Sequence, residues 1–261
     1  MTQALLRTHL NSSSLVRFLA GLAVAQGGES RQSFAQRLGQ WIHFTDAATL
    51  FAALDAGATR TTPPLTFAQR ETTTAVLLAL GDELARVQTS LVNLINHSCM
   101  AAPGASRITF PVPRSDAPHE IATAYSPFHR FCQTLQKEMD AKLVPLRVAV
   151  RSALTVTTPA LKQLAALDAA LDAVLQDRES RLLGTVPRLL QKRFEHLLQA
   201  HQQTLKCNGQ TDDPATWMRP GGWLTVFRDE IRTALLAELD LRLQPTMGLL
   251  DALGKEVNGQ A

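Results

Sequence analysis

Scarcity narrows the reading of this chain before any motif does. Aromatic residues are 5% of its 261 positions, and 26 Lys and Arg against 23 Asp and Glu leave a formal net charge of only +3. A surface that neutralises phosphates would therefore need its cations gathered on one face. The densest gathering is Arg188, Lys192 and Arg193, diluted by Glu195, a spacing better suited to a solvated helix face than to a nucleic-acid site. Nucleic acid is accordingly a disfavoured partner. The three cysteines, Cys99, Cys132 and Cys207, show no C-x-x-C spacing, which argues against a disulfide framework and for a reducing compartment.

Reaction motifs are missing as well. The chain has no G-x-S-x-G elbow, no H-E-x-x-H, no G-x-x-x-x-G-K-[ST] and no G-x-G-x-x-G. His129 and Cys132 would share a helix face, but no second pair completes a tetrahedral metal site, so neither metal nor cofactor is expected. A hydrolase or transferase would need scattered groups such as His97, His119 or His129 to meet a carboxylate in a pocket; nothing in their spacing predicts it. His196 and His201 are expected at the surface. No apolar run reaches the roughly 18 residues needed to span a bilayer. Phe18 to Ala25, "FLAGLAVA", superficially resembles a signal-peptide core, yet Leu15, Phe18, Leu19 and Leu22 fall at helical spacing and favour an amphipathic core helix. The expectation is a soluble, cytoplasmic, non-enzymatic protein.

Hydrophobic residues make up 45% of the chain and charged residues 19%, and period-two alternation is almost absent. The pattern predicts an all-α fold: an elongated helical bundle with long coiled-coil-like helices and Pro-rich connecting segments. A first helix should run from about Ser14 to Gln26 and stop at Gly27-Gly28. A second begins at Ser30 with Phe34, Leu38, Trp41 and Ile42 on one side; a third is capped by Thr45, with Leu50, Phe51 and Leu54 inward. After a loop through Pro63-Pro64, Leu77, Leu80, Leu84, Val87, Leu91 and Leu94 form a seam with alternating steps of three and four, the spacing by which one helix inserts side chains into another. Asp82 and Arg86 read as a surface ion pair.

Three regions follow: an N-terminal helical region at 1–98, a Pro-rich linker or strap at 99–125, and a long-helix region at 126–261, the outer two open to being one domain. In the middle region Ile108, Phe110 and Val112 suit an extended strap laid across the bundle. Ser126-Pro127 and Thr158-Pro159 are cap-plus-proline start signals, and Pro145 predicts a kink in a helix that then continues. Leu161, Leu164, Leu167, Leu171 and Leu175 form another seam, and Gly184 with Thr185 leaves a break or a kink open. Near the end, Asp213-Pro214 opens a short turn of helix, Pro220-Gly221-Gly222 reverses the chain, and Trp223 starts the last long helix. Trp217, Trp223 and Phe227 gather at this bend as a core corner or, alternatively, an exposed anchor for a partner. The seam residues Leu77, Leu84 and Leu91 are the other partner-binding candidates, through self-association or a partner's helix.

The strings "NSSSLVRFLAGLAVA", "ESRQSFAQRLGQWIHFTDAATLFAAL", "FPVP" with "SPFHRF", "LKQLAALDAALD" and "DDPATWMRPGGWLTVF" resemble an uncharacterised proteobacterial family, domain of unknown function 3348, over nearly the full length. The family brings no catalytic residues. Because its members are often encoded beside inner-membrane proteins that resemble motor or colicin-import proton channels, the resemblance implies a cytoplasmic accessory of an envelope or motor-like assembly. A nucleic-acid-binding accessory of a defence system is the alternative.

Overall fold

A computed structural model describes residues 14–22, 44–55, 65–100, 107–112 and 121–259. The elements are α1 (Ser14–Leu22), α2 (Phe44–Asp55), α3 (Phe67–Met100), α4 (Ile121–Thr155), α5 (Pro159–Leu183), α6 (Val186–Asn208), α7 (Pro214–Trp217) and α8 (Trp223–Val257). No strand occurs among the described residues, and the fold is all-α. The expected stop at Gly27-Gly28, the helix from Ser30, and the positions of Pro63, Pro64, Pro113, Pro118 and His119 lie outside them.

Helix ends follow local chemistry. Thr66 and Gln69 form a reciprocal capping box at the start of α3: the Thr66 N–H donates to Gln69 Oε1 at 2.9 Å and the Gln69 N–H donates to Thr66 Oγ1 at 3.4 Å. Thr158 caps α5 by accepting from the Leu161 N–H at 3.3 Å, with Pro159 at the first helical position. The Asp213 carboxylate accepts from the Ala215 N–H at 3.0 Å ahead of Pro214. Gly209 closes α6 at φ 61°, and Gly221 turns the chain at φ 81°. Gly222 is needed for space: a Cβ there would lie 2.3 Å from the Trp217 carbonyl oxygen.

The chain divides into two compact units. The first comprises Met1–Gly28, Ser90–Met139 and Leu182–Leu241. Its core is aromatic. Phe128, Phe194 and Phe227 are wholly buried, with ring centroids 5.2–5.5 Å apart. Tyr125 joins them and donates its hydroxyl to the Pro187 carbonyl at 2.5 Å. Leu15 of α1 is buried with Leu183 and Ala237, as its amphipathic spacing anticipates. Within the same unit Gln136 donates to both oxygens of the buried Glu238, and Arg232 Nε donates to Asn96 Oδ1 at 2.7 Å.

The second unit comprises Glu29–Thr89, Asp140–Arg181 and Arg242–Ala261. Its core is aliphatic: Val150, Leu154, Leu161, Ala165, Leu249, Leu250 and Leu253, with Leu77, Leu80, Leu84 and Leu164 packed partly buried against them. Both predicted seams thus supply side chains to the interior of their own chain.

Several expectations are corrected. α4 begins at Ile121, so Ser126-Pro127 lies inside it rather than at its start; Tyr125, the residue just before, is drawn into the aromatic core, and the helix extends backwards past it. α2 begins at Phe44, ahead of the expected Thr45 cap, and Phe51 and Leu54 are exposed, because a helix apolar on most sides does not fix which side turns inward. Between α5 and α6 the chain breaks at Gly184-Thr185, and the Thr185 hydroxyl donates back to the Leu182 carbonyl instead of capping forward. Arg86 pairs with Glu83 rather than Asp82. The expected continuation of α4 past Pro145 holds, since the helix runs to Thr155, and α8 likewise runs through Pro245.

Candidate functional site

The predicted aromatic bend is assembled as a corner. Phe227 is wholly buried and Trp223 is 8% exposed, while Trp217 is half-buried. The indoles of Trp217 and Trp223 sit 5.5 Å apart, and the His201 ring packs against both. One oxygen, Asp212 Oδ1, accepts from Trp217 Nε1 at 2.7 Å and lies 2.9 Å from His201 Nε2. His201 is therefore half-buried structure rather than a surface group. Phe227 and Trp223 spend their apolar area on the unit's own core.

The basic trio separates. Arg188 and Lys192 are exposed, but Arg193 is half-buried and engages Glu230 through Nε and Nη2 at 2.8–3.1 Å. Hydrogen bonds from Arg193 to that carboxylate, which outweigh partial burial, hold its proton more tightly than usual and commit its charge inside the unit. Of the scattered histidines, His97 is exposed with Nδ1 2.7 Å from the Asn93 carbonyl, and His129 stacks on Tyr125. Cys132 beside it is buried, which pushes its thiol well above the usual range. Burial also pushes Cys99 up to about 12, against the opposing charges of Arg232 and Arg228. Among the described residues no group of three His, Cys, Asp or Glu side chains is placed to hold a metal ion, and no helix is long and apolar enough to cross a membrane.

The second unit presents a surface of another kind. Val144, Val148 and Ser152 recur every four residues along α4, Val156 continues the spacing in the turn just past its end, and all are exposed, Val156 to 84%. Such a row is a ridge of the sort that fits the groove of another helix. At Val156 it meets a cleft of about 310 Å³ lined by Leu65, Ala68, Thr72, Val76 and Thr157, with Phe67 77% exposed on the same first turn of α3.

Charge and hydrogen-bond demand have been removed from this surface. Thr72 and Thr73 donate to the carbonyls of Ala68 and Gln69, Ser152 to Val148, Thr155 to Ser152 and Thr157 to Ala153, so each hydroxyl proton is turned back onto its own helix. Arg147 and Arg151, which neighbour the ridge in sequence, reach instead to Asp168 and Asp172 of α5 at 2.6–3.0 Å. Burial alone would raise the Asp168 carboxyl, but hydrogen bonds from both guanidiniums, and their charges, hold it below its ordinary value. Apart from the Gln69 side chain, which also lines the cleft and accepts from Thr66 through Oε1, what remains is largely methyl groups.

Spacing alone marked the leucine seams and missed this ridge. Its signal was apolar residues on two faces of α4 at once, since Leu143, Leu146, Val150 and Leu154 already supply the buried face. Leu91, the third seam candidate, is wholly buried in the first unit, while Leu77 and Leu84 are half-buried in the second.

No curated protein and no solved structure matches the chain. A family model described as a protein of unknown function, DUF3348, matches residues 1–255. That match covers all but the last few residues, and the chain belongs to this family.

Proposed function

We propose that the chain is a non-enzymatic helical interaction protein that docks an apolar helix on the α3–α4 surface of its second unit. The uncharged valine ridge, with its hydroxyl protons turned inward and its neighbouring arginines drawn off to α5, is the observation that supports this reading. Contiguous apolar surface of this kind is uncommon on a protein that works alone. The family resemblance supports the finer reading, a cytoplasmic accessory of an envelope or motor-like assembly. The nucleic-acid alternative is weakened by Arg193, whose charge is spent on Glu230.

Affinity capture from the native bacterium tests the proposal, with the wild-type chain beside a Val148→Glu, Val156→Glu double variant. A component held by the first and lost by the second supports it. Equal capture by both would remove the surface from consideration, and recovery of the chain alone would count against an accessory role.

A further inference from the structure

Residues 107–112 run outside the helices, and their attachment to the first unit is narrow. The Phe110 ring, 6% exposed, lies 5.2 Å from Phe128 and 5.6 Å from Phe131, edge-on to the latter. The Phe110 N–H donates to the Ser98 carbonyl at 2.9 Å. On either side the hold weakens: Arg107 and Val112 are exposed, Ile108, Thr109 and Pro111 are half-buried, and Pro111 has no N–H to give.

Ser98 adds a second observation. Its carbonyl anchors the segment, yet its hydroxyl is buried without a hydrogen-bond partner. An unmade hydrogen bond of a buried hydroxyl is a cost that water would relieve, so the closed arrangement carries a penalty at the residue where the segment is fastened. The helices beneath are held more firmly: Trp223 Nε1 at the start of α8 is also buried without a partner, but Leu135 of α4 and Ile231 of α8 are wholly buried within continuous helices.

We propose that residues 107–112 are a detachable strap, with Phe110 as a plug that leaves its slot between Phe128 and Phe131 while the rest of the first unit stays folded. Opening frees an extended segment with Ile108, Phe110 and Val112 at alternate positions, the form in which peptides dock on grooves or sheet edges. It also uncovers an aromatic slot shaped for one ring. This strap is independent of the valine ridge in the second unit.

Native-state hydrogen exchange on the full chain tests it. The Phe110 amide should exchange at least about 100-fold faster than those of Leu135 and Ile231, with almost no dependence on low denaturant, the mark of local opening. Ser98→Ala, which removes the orphan hydroxyl, should slow Phe110 exchange several-fold, and Phe110→Ala should speed exchange at position 110 by about tenfold or more. Exchange of the Phe110 amide at the rate and denaturant dependence of Leu135 would overturn the proposal. An unchanged Phe110 rate in the Ser98→Ala chain would overturn the role given to that hydroxyl.

Discussion

The two units solve the same packing problem with different materials. The first spends most of the aromatic residues described in this chain on one interlocked cluster and, among its described residues, leaves Met100, Val112, Leu182 and Val226 as exposed large apolar side chains. The second builds its interior from leucine, valine and alanine, fixes α4 to α5 with a closed network of two arginines and two aspartates, and carries Phe67, Val144, Val148 and Val156 outside. Large rings fill a core with few side chains and little tolerance for change. An aliphatic core with apolar residues left over is what a unit built for docking would have.

Substitutions can break or sharpen this contrast. The largest effect is expected in the aromatic cluster: Phe227→Ala should cost about 3–5 kcal/mol, since a wholly buried ring touching three others leaves a cavity that helices cannot close. Leu253→Ala, equally buried among aliphatic neighbours, should cost about 2–5 kcal/mol, and equilibrium denaturation of the two variants compares the cores directly. Gly222→Ala forces the Trp217 carbonyl aside and should cost about 1–3 kcal/mol in the same measurement.

Asp168→Asn should cost about 1–3 kcal/mol, because it leaves Arg147 and Arg151 with one acid between them. Its pH dependence has a definite sign. A carboxyl held below its ordinary value of 3.8 contributes stability that is present above that pH and is lost as the pH falls through the lower folded value. Wild type and variant should therefore converge in thermal stability as the pH drops below 3.8. The smallest effect is the most telling: Val148→Glu should move stability by no more than about 0.5 kcal/mol while weakening any assembly that uses the ridge.

How much could be read from the sequence depended on whether the signal was local. Asp213-Pro214, the glycine reversal and the start at Trp223 are set within a few residues by capping and backbone freedom, and they stand as read. Thr158-Pro159 is of the same kind. Ser126-Pro127 carried an equally good local signal and misled, because the burial of Tyr125 against Phe194 and Phe227, far along the chain, decides where α4 begins. α2 offered apolar residues on most sides, so only contacts could settle its facing. The candidate surface was the least legible part. Valines at 144, 148 and 156 look like core until Leu143, Leu146, Val150 and Leu154 are seen to occupy the inside. The destination of Arg147 and Arg151 is a property of the neighbouring helix.

The uneven accessibility of the three thiols has a practical side. Cys99 and Cys132 are sealed and hard to ionise, whereas Cys207 stands in solvent near the end of α6. A maleimide fluorophore should therefore attach at one place. That place is six residues beyond His201, about 9 Å along the helix axis. Because the imidazole there packs against Trp217 and Trp223, the dye would sit within energy-transfer range of both indoles, and its emission could follow the corner without altering a native residue.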